Sequence, residues 1–292
     1  MAEPREAPAA NGPSAAEAPA PARLACVWGS MGHALALMLQ HRRMYLAAAL
    51  AFFPLLSPLI YYVVRPGGRL PAGEIVFIGA MDGFHINVLP PLMGLLLAAM
   101  LVSEHVEGHT LAYILTRPTP RLAWVFGRYL AYAAVAGPLL IVAVTAVYAL
   151  CLTLPGFGFG PDTLGLAMHY LFAAVLAVLA YGGLLLFIGV VTRRPVVLGA
   201  LIVYGWETLA LSLPGAINLA TLTKYIRVLC PEESMLRSAQ SVDTALGGVT
   251  LATVDVAPWQ AIAVLLGFTA LCVYFTAKQL ERKEFGGRAS GV

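Results

Sequence analysis

The sequence predicts an all-α polytopic membrane protein, in which six transmembrane helices follow an N-terminal helix that lies along the membrane surface. Apolar residues make up 60% of the 292-residue chain and charged residues 11%, whereas about a quarter of the residues of a soluble domain are charged. The apolar residues also gather into runs of roughly 20, the length that crosses the hydrocarbon core of a bilayer. Both observations indicate that lipid surrounds most of this chain.

The first 43 residues precede the first predicted span. Residues 1–22 are rich in Ala, Pro and Glu and contain no apolar stretch, so we expect a disordered tail and not a secretory signal. Glycines and polar residues interrupt residues 23–43, so we predict an interfacial (elbow) helix there. A seventh span is the alternative, but it would invert the charge pattern. The apolar side chains with helical spacing in this segment are Leu24, Trp28, Met31, Leu35 and Met38.

The membrane domain is predicted to cover residues 44–283, and residues 284–292 form a short tail. Charged or turn-forming segments separate its spans, which are predicted at about 44–64, 86–102, 129–152, 164–191, 196–213 and 261–277. Unequal lengths are compatible with spanning, because a long helix can tilt and interfacial residues can complete a short one. An outer loop at residues 214–258 is the longest insertion. Its alternating run near residues 249–254 is typical of a small hairpin.

Lys and Arg predict the orientation, because they stay preferentially on the cytoplasmic side in short loops. With both termini in the cytoplasm, the outer segments carry only five basic residues: Arg65, Arg69, Lys224, Arg227 and Arg237. We therefore expect cytoplasmic N- and C-termini. This asymmetry also accounts for the small net charge of +3. We expect no nucleic-acid partner, because the sequence shows no basic patch on a folded domain.

The loop between the second and third predicted spans, residues 104–121, combines charge with a helical pattern. Carboxylates in its first turn suit a helix N-terminus, an apolar stripe follows, and prolines then end the helix beside two arginines. These residues are Glu104 and Glu107, then Leu111, Ile114 and Leu115, then Pro118 and Pro120 with Arg117 and Arg121. The segment is either a connector resting on lipid headgroups or a helix that docks on a partner.

Two histidines in this loop, His105 and His109, have the four-residue spacing of two-histidine metal sites. However, Glu107 does not stand where metalloproteases of the H-E-x-x-H type carry their glutamate, and no third ligand is evident nearby. Polar contacts with a partner or with headgroups are the favoured alternative. The four cysteines show no disulfide framework or metal-finger spacing.

Several segments resemble the ABC-2 type permeases, the membrane subunits of ATP-binding cassette transporters. The loop carries EGHTL at residues 107–111 and LTRP at 115–118, and GRYL follows at 127–130, at the start of the third span. The segments Trp206-Glu207, LPG at 213–215 and LTKYIR at 222–227 are also similar to segments of many members. The likeness covers most of residues 24–283. His109 stands where glycine is common in the family, and Arg128 stands where lysine is common.

The resemblance implies an ABC-2, type V exporter-like architecture in which the loop is a coupling helix. This helix would sit in a groove of a separate ATPase and transmit its ATP-driven closure to the spans. Two ATPase copies and a second permease chain, in a homo- or heterodimer, are the implied partners, in the cytoplasmic (inner) membrane of a bacterium. The implied docking residues are Glu104, Glu107, Gly108, Thr110, Leu111, Arg117, Pro118 and Arg121.

This chain lacks the phosphate-binding pattern G-x-x-x-x-G-K-[ST]. ATP and Mg²⁺ are therefore expected on the partner ATPase, with no cofactor, metal or catalytic residue in this chain, which is a transport subunit and not an enzyme. A secondary carrier or channel that works without an ATPase is the second hypothesis, but the internal repeat expected of a carrier does not relate residues 44–152 to 164–277. An intramembrane enzyme is the third, and it would need paired carboxylates or a nucleophile with its base. The substrate is not indicated.

Glu207 is the one carboxylate that lies well inside a predicted span, which makes it a functional candidate. It could be a pathway or proton-sensitive residue. Given the family likeness, we favour a structural role for Glu207 and its neighbour Trp206. In that interpretation, the fifth span breaks near Glu207. The outer segment then dips back into the membrane as re-entrant helices, and the carboxylate caps their backbone N–H groups.

Overall fold

The computed structural model describes residues 23–64, 72–101, 120–192, 194–212, 216–231, 241–244, 247–250 and 256–289. Its α-helices are α1 (Arg23–Gln40), α2 (Arg42–Phe52), α3 (Leu56–Val64), α4 (Gly73–Ala80), α5 (Leu89–Met93), α6 (Arg121–Cys151), α7 (Pro161–Val191), α8 (Pro195–Ala200), α9 (Glu207–Ser212), α10 (Leu222–Leu229) and α11 (Pro258–Ala289). Short 3₁₀ or π-helical stretches lie at Phe53–Leu55, Met81–Ile86, Gly94–Ala98, Leu201–Trp206 and Ala216–Ala220.

Within these ranges, five helical stretches are long and apolar enough to cross a membrane: Arg42–Ile60, Gly73–Ala98, Arg121–Cys151, Pro161–Val191 and Pro258–Arg282. The chain is therefore a multi-pass membrane protein. The segment predicted as the fifth span contains a shorter apolar helix, Pro195–Ala210, built from α8, the following π-helical stretch and part of α9. The count of six spans stays a prediction.

The second span begins at Gly73, well before the predicted start at residue 86. The sequence analysis placed the start of this span later because Asp82 and His85 interrupt its apolar residues. In the structure both side chains are buried inside the protein, Asp82 at 4% exposure and His85 at 0%, so they do not meet lipid. Pro90 and Pro91 lie within α5, close to its start, where a missing backbone N–H is best tolerated.

The first helix, α1, packs along α6, and α2 begins at the adjoining corner, His41. The imidazole Nδ1 of His41 accepts a hydrogen bond of 3.1 Å from the backbone N–H of Arg43, which ends one helix and starts the next. The predicted apolar stripe of α1 is divided between two environments. Met38 is buried against the protein, whereas Leu24 and Trp28 are exposed and available to lipid.

Helix α7 lies at the centre of the bundle, with α6, α10, α11 and the second span packed around it. Small residues allow the close approach, as is usual between membrane helices. A Cβ atom on Gly183 would lie 3.2 Å from Cγ2 of Thr269 in α11, and one on Gly189 would lie 2.7 Å from the backbone oxygen of Ala99. The buried side chains of these helices form one continuous core.

The loop that was predicted to lie outside, residues 214–258, contains a two-stranded antiparallel hairpin, β1 (Ser241–Thr244) and β2 (Gly247–Thr250). Ser241 pairs with Thr250 and Val242 with Val249. The sequence pattern indicated a hairpin in this loop, and the strands lie a few residues earlier than the alternating run near 249–254.

Candidate functional site

The structure describes only one of the predicted ATPase-docking residues, Arg121. It is the first residue of α6, directly after Pro120, so it belongs to the helix of the third span. The others, Glu104, Glu107, Gly108, Thr110, Leu111, Arg117 and Pro118, lie outside the described residues, as do His105 and His109. What the structure does describe is how the two ends of this loop are fixed.

Arg128 joins the two ends of the predicted coupling loop. Its Nη1 donates a hydrogen bond to the backbone carbonyl of Leu101, the last described residue before the loop, and its guanidinium carbon lies 4.1 Å from the Trp124 ring centre. The side chain is 1% exposed. We call the contact between Arg128 and Leu101 the inner brace. The sequence analysis missed it, because Arg128 was counted among the cytoplasmic charges.

The neighbouring glycine, Gly127, lets α1 approach α6. A Cβ atom at this position would lie 2.5 Å from the backbone oxygen of Val27 and 2.9 Å from Cβ of Ser30. The hydroxyl of Ser30 also donates a 2.7 Å hydrogen bond to the backbone carbonyl of Trp124. The two residues Gly127 and Arg128 thus contact different elements. Gly127 allows α1 to pack closely against α6, and Arg128 bonds to the end of the second span.

Glu207 is the first residue of α9, and its carboxylate lies at the N-terminus of α10. Its Oε2 accepts hydrogen bonds from the hydroxyls of Tyr181 and Thr223, and the backbone N–H groups of Leu222 and Thr223 also donate to the carboxylate. Leu222 and Thr223 are the first residues of α10, whose N–H groups have no partner within the helix. The preceding residue, Thr221, provides no side-chain cap; its hydroxyl instead donates to the Asn218 carbonyl at 2.7 Å.

This geometry has the contacts that the structural interpretation of Glu207 requires, with the carboxylate buried at 5% exposure. The adjacent Trp206 is instead 48% exposed. The role of either residue in transport stays a prediction.

A second intramembrane carboxylate, Asp82, was not anticipated. Its Oδ1 accepts a 2.8 Å hydrogen bond from the hydroxyl of Tyr170 in α7. Arg227 of α10 is close enough to both Asp82 and Glu207 for a favourable electrostatic interaction with each carboxylate. The sequence signal for Asp82 was its position inside the largely apolar run of residues 73–101, of which only the part from residue 86 was predicted to be a span.

We call the six residues Asp82, Tyr170, Tyr181, Glu207, Thr223 and Arg227 the outer cluster. Chemically, its two carboxylates are acceptors engaged by donors from neighbouring helices. Buried polar groups that are satisfied in this way fix helices in one arrangement. Helix α10 is too short to span a bilayer, and its first N–H groups, which have no partner within the helix, would be costly in lipid without such an acceptor.

Comparison with known proteins shows to which family the chain belongs. The family model described as ABC-2 family transporter protein matches residues 16–284, a range that includes the described helices from α1 to most of α11. No curated protein matches the chain. Because the match covers most of the sequence and the helices are those of a multi-pass membrane protein, the chain belongs to the ABC-2 transporter family and is a permease of an ABC transporter.

Proposed function

We propose that the chain is the membrane-spanning subunit of an exporter and couples ATP hydrolysis on a separate ATPase to substrate movement across the cytoplasmic membrane. The observation that carries this proposal is the family match over residues 16–284. ATP and Mg²⁺ are held by the ATPase. With both termini in the cytoplasm, the loop at 104–121 faces that subunit, as the distribution of Lys and Arg predicts.

The inner brace supports a coupling role for this loop. The loop follows Leu101 at the end of the second span and enters α6 at Arg121, and Arg128 of α6 donates a hydrogen bond to the backbone carbonyl of Leu101. A force that the ATPase applies to the loop would therefore move the second span and α6 together. ATP-driven switching of the pathway requires a packed element that can adopt two arrangements. Binding of a partner must favour one of the two arrangements.

The complete transporter in this proposal contains two permease chains, identical or different, and two ATPase chains. One permease chain with one coupling helix supplies half of the pathway. Native mass spectrometry of the purified complex measures this stoichiometry, and a stable particle with one permease and no ATPase would count against it.

The direct test changes the loop charges, with Glu107→Ala and Arg117→Ala in one variant. Truncating a charged partner at a docked interface commonly costs about 2 to 5 kcal/mol, whereas an exposed loop charge contributes less than about 1 kcal/mol. We expect the ATPase to dissociate or its hydrolysis to become uncoupled from transport. The measurements are co-purification of the ATPase and ATP turnover in liposomes.

A matched control removes another pair of opposite charges, Lys278 and Glu281 of α11, which form an exposed ion pair at 2.9 Å. The Lys278→Ala, Glu281→Ala variant should keep the ATPase bound. If both double variants bind the ATPase equally well and show equal coupled ATP turnover, the loop is an ordinary connector and not a coupling helix. Substrate transport by the permease alone, driven by an ion gradient, would favour a secondary carrier.

A further inference from the structure

A cleft of ≈ 700 Å³ lies between the first half of α7, the end of α10 and the start of α11. Its volume is within the range of about 300 to 1,000 Å³ that is usual for small-molecule sites. Along α7 the lining extends from Pro161 to Phe172, which at 1.5 Å per residue is about 17 Å. The predicted orientation places the start of α7 outside, so the cleft would extend from the outer surface into the membrane.

The walls of the cleft are mainly apolar. Leu166 and Phe172 of α7, Val228 and Leu229 of α10, and Ile262 of α11 line it. Phe172 is 49% exposed, so much of its ring is available to a molecule in the cleft. The α10 wall belongs to the helix whose first N–H groups bond to Glu207, and the outer cluster therefore holds this wall in place.

Two polar side chains in the described lining, Asp162 and His169, both present hydrogen-bond acceptors. The carboxylate of Asp162 only accepts when ionised, and it makes no hydrogen bond or ion pair with the described part of the chain. Nδ1 of His169 lies 2.9 Å from the backbone oxygen of Gly165. A carbonyl can only accept, so Nδ1 carries a proton, and Nε2 of the neutral ring is then an acceptor.

Hydrogen-bond donors are scarce around the same cleft. Three prolines line its rim: Pro161 begins α7, Pro231 follows α10, and Pro258 begins α11. Proline has no backbone N–H. The thiol of Cys230 donates to the carbonyl of Ile226 at 3.5 Å, and the described lining contains no Lys or Arg. The polar groups of this lining therefore complement a ligand that donates hydrogen bonds.

The charge at the outer end of the cleft is negative on balance. Asp162 lies in the first turn of α7, and the N-terminus of a helix carries about +0.5 elementary charge. The full negative charge of the carboxylate exceeds this partial charge, so about half a negative charge remains. A phosphate or carboxylate ligand would be repelled at this end, and a cation would be attracted.

We propose that this cleft binds the cargo of the transporter, an amphipathic molecule with an ammonium group and a second hydrogen-bond donor. The ammonium group bonds to Asp162, and the second donor bonds to Nε2 of His169. These residues are seven apart on α7, a separation of about 10 Å. The apolar part of the molecule packs between Leu166, Val228 and Ile262. Only the identification of this ligand as cargo rests on the function proposed above, because binding needs neither ATP nor the ATPase.

The test measures binding of radiolabelled 8-aminooctan-1-ol to the full-length chain in phosphatidylcholine nanodiscs at pH 8, where an ordinary amine is charged and an ordinary imidazole is neutral. Octylamine, which lacks the hydroxyl, and octan-1-ol, which lacks the charge, are the matched ligands. Gly165→Trp fills the cleft, since Gly165 lines it and a Cβ there meets nothing within 4 Å. Gly267→Trp is the control, because a Cβ on Gly267 also meets nothing and this residue of α11 does not line the cleft.

We expect the wild-type chain and Gly267→Trp to bind 8-aminooctan-1-ol, and Gly165→Trp to lose it. Asp162→Asn should weaken binding of both amines about fivefold, the factor for about 1 kcal/mol from one exposed charge pair, and leave octan-1-ol unchanged. His169→Phe should weaken 8-aminooctan-1-ol about fivefold, the factor for about 1 kcal/mol from one hydrogen bond, and leave octylamine unchanged. Equal binding in Gly165→Trp and Gly267→Trp would overturn the proposal, as would equal losses for all three ligands in Asp162→Asn.

Two further measurements separate cargo from lipid and from the coupling function. Phosphatidylethanolamine also has an ammonium group, and its retention in the cleft in place of the probe would show that a lipid, and not cargo, is the occupant. With the ATPase in liposomes, 8-aminooctan-1-ol should raise ATP turnover in the wild type and not in Gly165→Trp; unchanged turnover in both would also refute a cargo site. The Glu107→Ala, Arg117→Ala variant should still bind the probe, so a failure of coupling is distinguishable from a failure of binding.

Discussion

Replacing Glu207 with alanine should release the N-terminus of α10 while leaving the spanning helices in place. The carboxylate accepts from the Tyr181 and Thr223 hydroxyls and from the N–H groups of Leu222 and Thr223. Its removal leaves four donors without their acceptor. The two hydroxyls lie 3.0 Å apart, so they can bond each other, but the two backbone N–H groups have no such alternative.

The expected loss follows from these two N–H groups. A buried donor left without a partner costs about 1 to 3 kcal/mol, so two of them cost about 2 to 6 kcal/mol. Entry of water at the outer end of the helix would reduce this penalty, and we expect about 2 to 4 kcal/mol. Glu207→Gln keeps one acceptor oxygen but turns an amide NH₂ toward the remaining donors, so its loss should be intermediate.

Hydrogen exchange of residues 222–229 measures this effect locally. A loss of 2 kcal/mol in the free energy of opening increases the exchange rate about 30-fold, since about 1.4 kcal/mol corresponds to tenfold. The exposed Trp206 adjoins Glu207, and in a background that keeps Trp206 as its single tryptophan, fluorescence reports the same change during thermal unfolding in detergent. Glu281→Ala is the control, because it removes an exposed carboxylate from α11 and should leave exchange in α10 unchanged.

Two results would refute this reasoning. Exchange in residues 222–229 that is the same in Glu207→Ala and in Glu281→Ala would show that the carboxylate does not stabilise α10. Faster exchange throughout α6 and α7 as well would show that Glu207 supports the whole bundle and not one helix end. Loss of transport in Glu207→Gln with unchanged exchange would instead favour a pathway role for this residue.

Three further predictions concern packing and orientation. Gly127→Ala should lower the unfolding temperature and detach α1, whereas Gly137→Ala, where a Cβ meets nothing within 4 Å, should leave it unchanged or raise it. Arg128→Ala should destabilise the chain by about 1 to 3 kcal/mol, since it removes a buried charge-assisted hydrogen bond to the Leu101 carbonyl, and Arg128→Lys should restore part of that loss; chemical denaturation compares them. Cysteines introduced at Ser290 and Ser241 should label only from the cytoplasm and only from outside, respectively, and inside labelling of Ser241 would overturn the predicted topology.

Long apolar runs made most of the membrane helices predictable. The helices Arg121–Cys151 and Pro161–Val191 have mean hydropathies of 2.2 and 2.6 over their best windows, so composition alone finds them. The second span has a value of 1.4, because Asp82 and His85 interrupt it. Prediction from hydropathy assumes that every side chain of a spanning helix faces lipid. It therefore misses a part of a span whose polar side chains are buried against another helix.

The candidate site was predictable only where a residue type is costly in lipid. Glu207 was identified because a carboxylate inside a span needs a partner, but its donors come from α7 and α10, distant in sequence from Glu207. The inner brace could not be predicted either, because Arg128 contacts the backbone carbonyl of Leu101. Every residue has a backbone carbonyl, so the sequence does not indicate which one accepts the hydrogen bond. The sequence was sufficient to recognise the residues of the family motif, but the contacts that these residues make are known only from the structure.

The second span connects the inner brace to the outer cluster, and this suggests a route between the predicted coupling loop and α10. Leu101, at one end of this span, is held by Arg128, and Asp82, near the other end, contacts Tyr170 and attracts Arg227 of α10. Two π-helical stretches, Met81–Ile86 and Gly94–Ala98, lie along the same span. Such stretches frequently mark functional sites in helices.

Position between two sites is not evidence of coupling, which requires an element whose equilibrium both sites change. We therefore predict that Arg128→Ala and Asp82→Asn, combined in a double-mutant cycle, change the opening free energy of residues 222–229 non-additively, by more than about 0.5 kcal/mol. Hydrogen exchange of α10 in the two single variants and the double variant measures this term. Strict additivity would mean that the second span supports its two ends independently, because distant sites without a shared element normally add.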